Sequence, residues 1–202
     1  MLTKAEFAER LKNACLSVIA AEAELTEIDA KFGDADHGFT MAKVGKAIIS
    51  AIDTSEGGIQ TLLDDAAMAV MAINGGSAVP LWNTWLDGMQ EGASEAEETD
   101  VAGIKAIFAR AFEELDEMSG AKVGDKTMMD ALIPATEAIA AYEGDSEAEL
   151  FTLAAAAAAA GAENSKNFPS KFGRAKSYGA KTIGTPDAGA MSMSCFFQGL
   201  SK

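Results

Sequence analysis

Residues 4–28 read KAEFAERLKNACLSVIAAEAELTEI, and apolar side chains recur in this stretch at alternating steps of four and three. The recurring residues are Phe7, Leu11, Ala14, Val18, Ala21, Leu25 and Ile28. Steps of three and four place side chains on one face of an α-helix. The stretch therefore predicts an amphipathic helix over residues 4–28.

Further helical patterns follow, separated by glycine-containing loops. They cover residues 41–52, 59–73, 81–90, 101–118, 127–142, 147–162 and 189–200. The acidic stretch 91–100 is predicted to be a solvated turn, and the basic stretch 166–187 a glycine-bearing loop. Since no hairpin signal and no Pro- or Ser-rich linker is present, we predict one all-α domain over residues 1–202. Its architecture is expected to be a barrel or bundle of about eight antiparallel helices.

The charge of the chain limits its partners. Sixteen Lys and Arg stand against 31 Asp and Glu, which gives a formal net charge of −15. Nucleic acids and anionic membrane surfaces require a basic face, so neither is an expected partner. If such an acidic protein binds phosphates, divalent cations or helix N-termini must offset the charge.

Cysteine usage and hydropathy indicate the compartment. Cys15 and Cys195 each lie in an apolar helical pattern, without the spacing of a metal site or a CxxC motif. Both are predicted to be buried free thiols. No stretch of 18 purely apolar residues is present and residues 1–10 carry charges, so we expect a cytoplasmic protein.

One carboxylate cluster is a candidate metal site. Residues 29–38 read DAKFGDADHG, which places Asp29 at the end of the first helical pattern, and Asp34 and Asp36 in the next loop. Hard cations such as Mg²⁺ take oxygen ligands and are often completed by substrate phosphates, so a few carboxylates suffice. The stretch favours magnesium together with a nucleotide.

These loops admit three other interpretations, of which the sequence excludes two. An EF-hand beginning at Asp34 is excluded, because Phe39 stands where glycine is required and Gly45 where a bidentate glutamate is required. A P-loop ending in residues 124–127 is excluded because Asp125 separates the glycine from the lysine. A solvated turn whose aspartates cap the next helix stays open.

Several motifs resemble the nucleotide-binding domain of the dihydroxyacetone kinases, which also occurs as a separate L subunit. Asp29 followed by Asp34-Ala35-Asp36-His37-Gly38 is similar to the family signature. The remaining motifs, in the family's order, are Gly75-Gly76-Ser77-Ala78, Gly124-Asp125-Lys126-Thr127-Met128 with Asp130, Gly173-Arg174-Ala175, and Asp187-Ala188-Gly189-Ala190. The resemblance implies a barrel of eight antiparallel helices with a nucleotide bound at one end.

The resemblance also implies roles for particular residues. Asp29, Asp34 and Asp36 would hold two Mg²⁺ ions that bridge the phosphates of ADP or ATP. His37, Gly38, Phe39 and Thr40 would begin a helix whose N–H groups face the phosphates. The remaining positions are Ser77 and Ala78 at the phosphates or ribose, Gly120 and Met128 at the adenine, and Arg174 with Asp187, Ala188 and Gly189 closing the site. A helix cap for His37, a core position for Met128 and a surface ion pair for Arg174 stay open.

Trp82, Trp85, Phe108 and Phe112 are expected to be core aromatics.

Two departures from the family pattern bear on the substrate. The serine stands first after the two glycines, at Ser77, where family members carry it second, so the resemblance does not determine whether its hydroxyl contacts phosphate. The closing loop reads Pro186-Asp187-Ala188-Gly189 where Asp-Pro-Gly is usual. This difference is compatible with a short ketose other than dihydroxyacetone.

By the same resemblance the chain would work with two partners. A K subunit would hold the ketose covalently, and an M subunit of the phosphotransferase system would supply the phosphoryl group to the resident nucleotide. Three alternatives stay open: an ATP-dependent kinase subunit acting on another acceptor, a nucleotide-sensing regulatory protein without turnover, and a helical scaffold with acidic turns.

Overall fold

Nine α-helices and two very short strands form the structure, a computed structural model that describes residues 1–202. The helices are α1 Lys4–Ala20, α2 Glu22–Asp29, α3 His37–Thr54, α4 Ile59–Met71, α5 Ala78–Gly92, α6 Val101–Ser119, α7 Met129–Ala141, α8 Glu147–Asn164 and α9 Ala188–Leu200. The prediction of an all-α fold is confirmed. None of these helices combines the length and the apolar character that crossing a membrane requires.

The first helical pattern folds as two helices instead of one. Ala21, with φ −86° and ψ 3°, separates α1 from α2. The change of direction brings α2 against the start of α3, where a Cβ atom on Gly38 would lie 2.0 Å from the carbonyl oxygen of Glu22. The periodicity could not show this break, because the apolar steps continue through it. If α1 and α2 are counted as one rod, the predicted number of eight is obtained.

The helices close into a ring. Each rod contacts the next in chain order from α1 to α9, and α9 packs back against α1. The loops alternate between two ends of this barrel. Lys4, at the start of α1, donates to the carbonyl of Ser55 in the α3–α4 loop, and Gly58 bonds to Glu95 in the α5–α6 loop, so these loops share one end. The helices α3, α5, α7 and α9 therefore all begin at the opposite end.

Two segments outside the α-helices differ from the predictions. The predicted solvated turn 91–100 contains the strand β2 (Glu98–Thr99), which pairs antiparallel with β1 (Leu2–Thr3). The predicted loop 166–187 contains 3₁₀ turns at Ser165–Asn167 and Arg174–Thr182. Pairing between residues about a hundred positions apart leaves no local signal, so only the tertiary structure reveals the strands.

Aromatic side chains fill the barrel. Trp85 is fully buried, and its ring centroid lies 5.3 Å from that of Phe196 and 6.1 Å from that of Phe108. Trp82 and Phe197 complete this cluster. Phe112 is only partly buried at the edge of the core, so the prediction of a core position is too strong for it. Likewise Cys15 is buried as predicted, whereas Cys195 is half-buried; both are free thiols.

Candidate functional site

Four helix N-termini converge on one cavity. The cavity has a volume of about 580 Å³ and lies at the end of the barrel where α3, α5, α7 and α9 begin; residues at each of these starts line it, namely His37, Ala78, Met128 and Ala188. A helix N-terminus carries about half a positive charge and presents unpaired N–H groups. The helix starts therefore bring N–H donors and partial positive charge to the cavity of a strongly acidic chain, which suits an anion.

Three carboxylates stand at the rim of this cavity. One oxygen from each of Asp29, Asp34 and Asp36 lies within 4.8 Å of the others. Asp29 comes from the last turn of α2, and its Oδ2 accepts the backbone N–H groups of Asp36 at 3.1 Å and His37 at 3.4 Å. Ala35 between the other two has φ 61°, a left-handed conformation that non-glycine residues rarely adopt. The loop is thus held so that all three carboxylates face one another.

Burial and neighbouring charges both act on the Asp36 carboxyl. Burial, followed by the neighbouring Asp34 and Asp29, raises the pKa of the Asp36 carboxyl. The positive group that touches the cluster is Arg174, whose Nη2 lies 2.7 Å from Oδ2 of Asp34. Oxygen donors with unneutralised negative charge are the ligands that Mg²⁺ prefers. The donor set therefore fits a divalent cation.

The start of α3 is tied to α9 by the histidine. His37 Nε2 lies 3.1 Å from Oγ of Ser192, and burial lowers the pKa of the imidazole. The ring is therefore neutral at pH 7. Although Asp36 occupies the N-cap position of α3, its side chain makes no capping hydrogen bond, so the carboxylate is free for another ligand.

The loop before α7 is organised by two buried charged residues. Asp130 is fully buried, and its two oxygens accept the N–H groups of Gly124 at 2.7 Å and Thr127 at 2.8 Å. Lys126 has φ 61° and is also buried; its amine donates to the carbonyls of Ser165, at 2.8 Å, and of Thr185. These bonds join the loop before α7 to the segment before α9, so two walls of the cavity are directly connected.

The start of α9 is capped by an aspartate. Oδ2 of Asp187 accepts a hydrogen bond from the N–H of Ala190 at 2.8 Å. The backbone N–H of Asp187 donates to Oγ of Ser165 at 2.9 Å. Burial raises the pKa of the Asp187 carboxyl to about 7. Its neighbour Gly189 lines the cavity, and a Cβ atom there would lie 3.3 Å from the backbone nitrogen of Met128. A small residue at this position lets α9 approach the start of α7.

Comparison with known proteins identifies the fold and its relatives. The sequence model of the DAK2 domain matches residues 31–202. The chain belongs to the DAK2 domain family. A D-erythrulose kinase of Mycolicibacterium smegmatis is 35% identical over 178 residues, which are 86% of this chain and 31% of that protein. The chain thus spans about a third of the length of this relative.

Two further relatives match nearly the whole DAK2 chain. The ADP-binding subunit DhaL of a PEP-dependent dihydroxyacetone kinase from Listeria innocua is 29% identical and matches over 88% of this chain and 86% of its own. The dihydroxyacetone kinase of C. freundii, crystallised with AMP-PNP and Mg²⁺, superimposes with a TM-score of 0.71 at 25% identity. That match covers 98% of this chain and 33% of the C. freundii protein. The DAK2 chain thus shares its domain with phosphotransferases.

Most of the site residues predicted from the sequence line the cavity of this DAK2 domain. They are Asp29, Asp34, Asp36, His37, Thr40, Ser77, Ala78, Met128, Arg174, Asp187, Ala188 and Gly189. The predicted residues Gly38, Phe39 and Gly120 do not line it. Gly38 is buried against α2, Phe39 is 54% exposed beneath the amine of Lys43, and Gly120 ends α6 with φ 62°. Their roles stay predictions from the family resemblance.

Some residues of the cavity were not singled out from the sequence. Trp82 was assigned to the core, yet it also lines the cavity, as do Lys126, Met118 and Phe172. Ser192 connects α9 to His37 although it lies inside a helical pattern rich in Met and Phe. The exposure of Met118 and Phe172 and their position beside the cavity emerge only from the structure, and a buried serine in a helix gives no signal in one sequence.

Proposed function

We propose that this DAK2 chain binds an adenine nucleotide through Mg²⁺ held by Asp29, Asp34 and Asp36, and takes part in phosphorylating a short ketose. One observation carries the proposal: the three carboxylates face one another within 4.8 Å at the rim of a cavity onto which four helix N-termini converge. Carboxylates alone repel a polyphosphate, and helix N-termini alone attract any anion. Together they favour a phosphate that arrives with a divalent cation.

Two kinds of groups in the chain would bind the phosphates: backbone N–H groups and the guanidinium of Arg174. N–H groups at the starts of α3 and α9 act as fixed donors, and they cost no reorganisation because the surrounding hydrogen bonds already orient them. Bound Mg²⁺ would neutralise charge on the phosphoryl oxygens, and the resemblance implies two such ions. Arg174 would turn from Asp34 to a phosphate oxygen, since a guanidinium suits both partners.

The acceptor and the phosphoryl donor are proposed from the relatives. The Listeria innocua relative is the ADP-binding subunit of a PEP-dependent kinase, and it aligns over nearly the whole chain. We therefore propose a K-type partner that presents the ketose and an M-type phosphotransferase-system partner that recharges the nucleotide, with the cytoplasm as the place of action. A nucleotide that stays bound between turnovers fits the closed, multiply bonded loops around Lys126.

The proposal is tested by calorimetric titration of the chain with ADP and with ATP, each with and without Mg²⁺. We expect binding only with the metal, and a loss of at least about tenfold in affinity for Asp34→Asn. The matched control is Asp64→Asn, which removes one charge from an exposed position of α4 away from the cavity. Absence of Mg²⁺-dependent nucleotide binding by the unmodified chain would overturn the proposal and leave a helical scaffold.

A second acceptor is favoured by a specific observation. The relative at 35% identity acts on D-erythrulose, a four-carbon ketose, and the closing loop at Pro186-Asp187-Ala188-Gly189 departs from the dihydroxyacetone kinase pattern. Phosphotransfer from the loaded chain to dihydroxyacetone and to D-erythrulose, with purified K-type and M-type partners, separates the two. A nucleotide sensor would bind ADP and yield neither phosphorylated sugar.

A further inference from the structure

Ser192 is a fully buried polar residue in the second turn of α9 that faces two groups of the cavity wall. Its Oγ lies 2.9 Å from the carbonyl oxygen of Gly189 and 3.1 Å from Nε2 of His37. Gly189 lines the cavity at the start of α9, and His37 lines it at the start of α3. One hydroxyl therefore joins two of the four helix N-termini.

The protons in this contact fix its direction. A serine hydroxyl has one hydrogen to donate, and a carbonyl oxygen can only accept, so the hydrogen of Ser192 goes to Gly189. With that hydrogen directed at Gly189, the oxygen of Ser192 accepts from His37, so Nε2 of the ring carries a proton. The N–H of the imidazole is therefore directed at α9.

The contact connects two helix starts that both face the cavity. Each N-terminus carries about half a positive charge, and the two charges point into the same cavity. The hydrogen bond between His37 and Ser192 links α3 to α9, and the bond from Ser192 to Gly189, which lies within α9, orients the hydroxyl for it. The N–H groups at the two helix starts are thereby held in position before a ligand arrives.

We propose that Ser192 is a positioning residue for the phosphates: it selects the Nε2–H form of His37 and thereby holds the starts of α3 and α9 together. The expected effect on nucleotide affinity rests on the proposed nucleotide binding. The contact of Ser192 with His37, and the form of the imidazole that it selects, do not depend on that binding. A preorganised pair of donors binds more tightly than a mobile pair, because less ordering is required on binding. Ser192 acts through His37 and the helix ends, without touching the nucleotide.

The structural part is tested by nitrogen-15 NMR, since His37 is the single histidine of the chain and its two ring nitrogens give an unambiguous spectrum. In the ligand-free protein we expect a proton on Nε2 and an unprotonated Nδ1. In Ser192→Ala we expect a mixture of the two neutral forms, whereas Ser192→Thr, which keeps the hydroxyl, should retain the original form. A proton on Nδ1 in the unmodified chain, or an unchanged spectrum in Ser192→Ala, would overturn the proposal.

The functional part is tested by titration with ADP and Mg²⁺. Ser192→Ala should lose up to about tenfold in affinity, the equivalent of one hydrogen bond, and Ser192→Thr should regain most of it. Ser194→Ala is the matched control, because Ser194 is also buried on α9 and bonds only to Gln198, at 3.2 Å. Equal losses in both alanine variants would reduce Ser192 to a general packing role. If the unmodified chain does not bind ADP but the spectra change as expected, the nucleotide proposal fails while the contact stands.

Discussion

The guanidinium of Arg174 lies 2.7 Å from the carboxylate of Asp34, so a residue predicted to close the site is paired with one predicted to hold metal. The Arg174 side chain is 73% exposed and that of Asp34 34%, and an ion pair this open contributes at most about 1 kcal/mol. Phe32 and Tyr178 make a second contact between the same segments, with ring centroids 5.3 Å apart. Arg174 is therefore placed to compete with a cation for Asp34. The ion pair is weak enough for a bound cation to displace the guanidinium.

Removing Arg174 should have opposite effects on metal and nucleotide. Without nucleotide, Arg174→Ala should raise the affinity for Mg²⁺ by roughly two- to fivefold, because no guanidinium competes for Asp34. With Mg²⁺ present, the same variant should bind ADP less tightly, since a phosphate partner is lost. Both affinities can be measured by titration calorimetry.

The control for this change is Lys176→Ala, which removes one positive charge from the same exposed segment but has no ion-pair partner. Because Lys176 forms no ion pair with the carboxylate cluster, its removal should change the affinity for Mg²⁺ only by the small effect of a distant charge. A fall in Mg²⁺ affinity in Arg174→Ala would contradict the competition and indicate that the arginine supports the cluster.

Gly33 leaves room for the Asp29 carboxylate. A methyl group at Gly33 would lie 2.0 Å from Oδ1 of Asp29, so Gly33→Ala must displace that side chain from Asp36 and His37. We expect the affinity for Mg²⁺ to fall by about tenfold or more, and the free energy of unfolding by about 1–3 kcal/mol. Calorimetry and urea unfolding measure the two effects separately.

Gly76→Ala provides the comparison, because Gly76 also lines the cavity but no atom lies within 4 Å of its added Cβ. This variant should keep both its Mg²⁺ affinity and its stability. Retention of metal binding by Gly33→Ala would show that the carboxylate of Asp29 is not needed where the structure places it.

Protonation of Asp187 should make the stability of the ligand-free protein depend on pH. Burial raises its pKa from the ordinary 3.8 to about 7, so the folded state binds this proton more tightly than the unfolded state. The resulting stabilisation is complete below about pH 4 and is lost as the pH rises through 7. Urea unfolding without Mg²⁺ between pH 4 and 8 measures this loss.

Asp187→Asn isolates the contribution, because an asparagine is neutral at every pH and can still cap α9 by accepting from Ala190. As the pH rises from 4 to 7, the free energy of unfolding should fall less for this variant than for the unmodified protein. Parallel pH profiles for the two proteins would contradict a raised pKa for Asp187.

The helices were predictable because their signal is local. Steps of three and four identify a buried face within one helix, and the Gly-containing loops mark its ends, so the predicted ranges for α3 to α9 lie within a few residues of the observed ones. The break at Ala21 and the pairing of Leu2–Thr3 with Glu98–Thr99 escaped prediction. Both depend on contacts with distant parts of the chain, which apolar spacing does not record.

The candidate site divides in the same way. Asp29, Asp34 and Asp36 could be chosen from one short stretch, because carboxylates around a glycine turn are chemically distinctive. The contacts of Ser192 with His37 and of Lys126 with Thr185 join residues far apart in sequence, and neither residue type is unusual where it stands.

The sequence by itself determined the helical fold, the acidic cluster and the order of the loops, since each follows from side-chain spacing or chemistry within a short segment. Only the tertiary structure decided that four helix N-termini meet at one cavity and that Arg174 pairs with Asp34. It also showed that Gly38 and Gly120 lie away from the cavity wall, where Gly38 allows close packing against α2 and Gly120 ends α6. Closing the barrel sets these distances, because the closed ring brings together loops that are separated along the chain by whole helices.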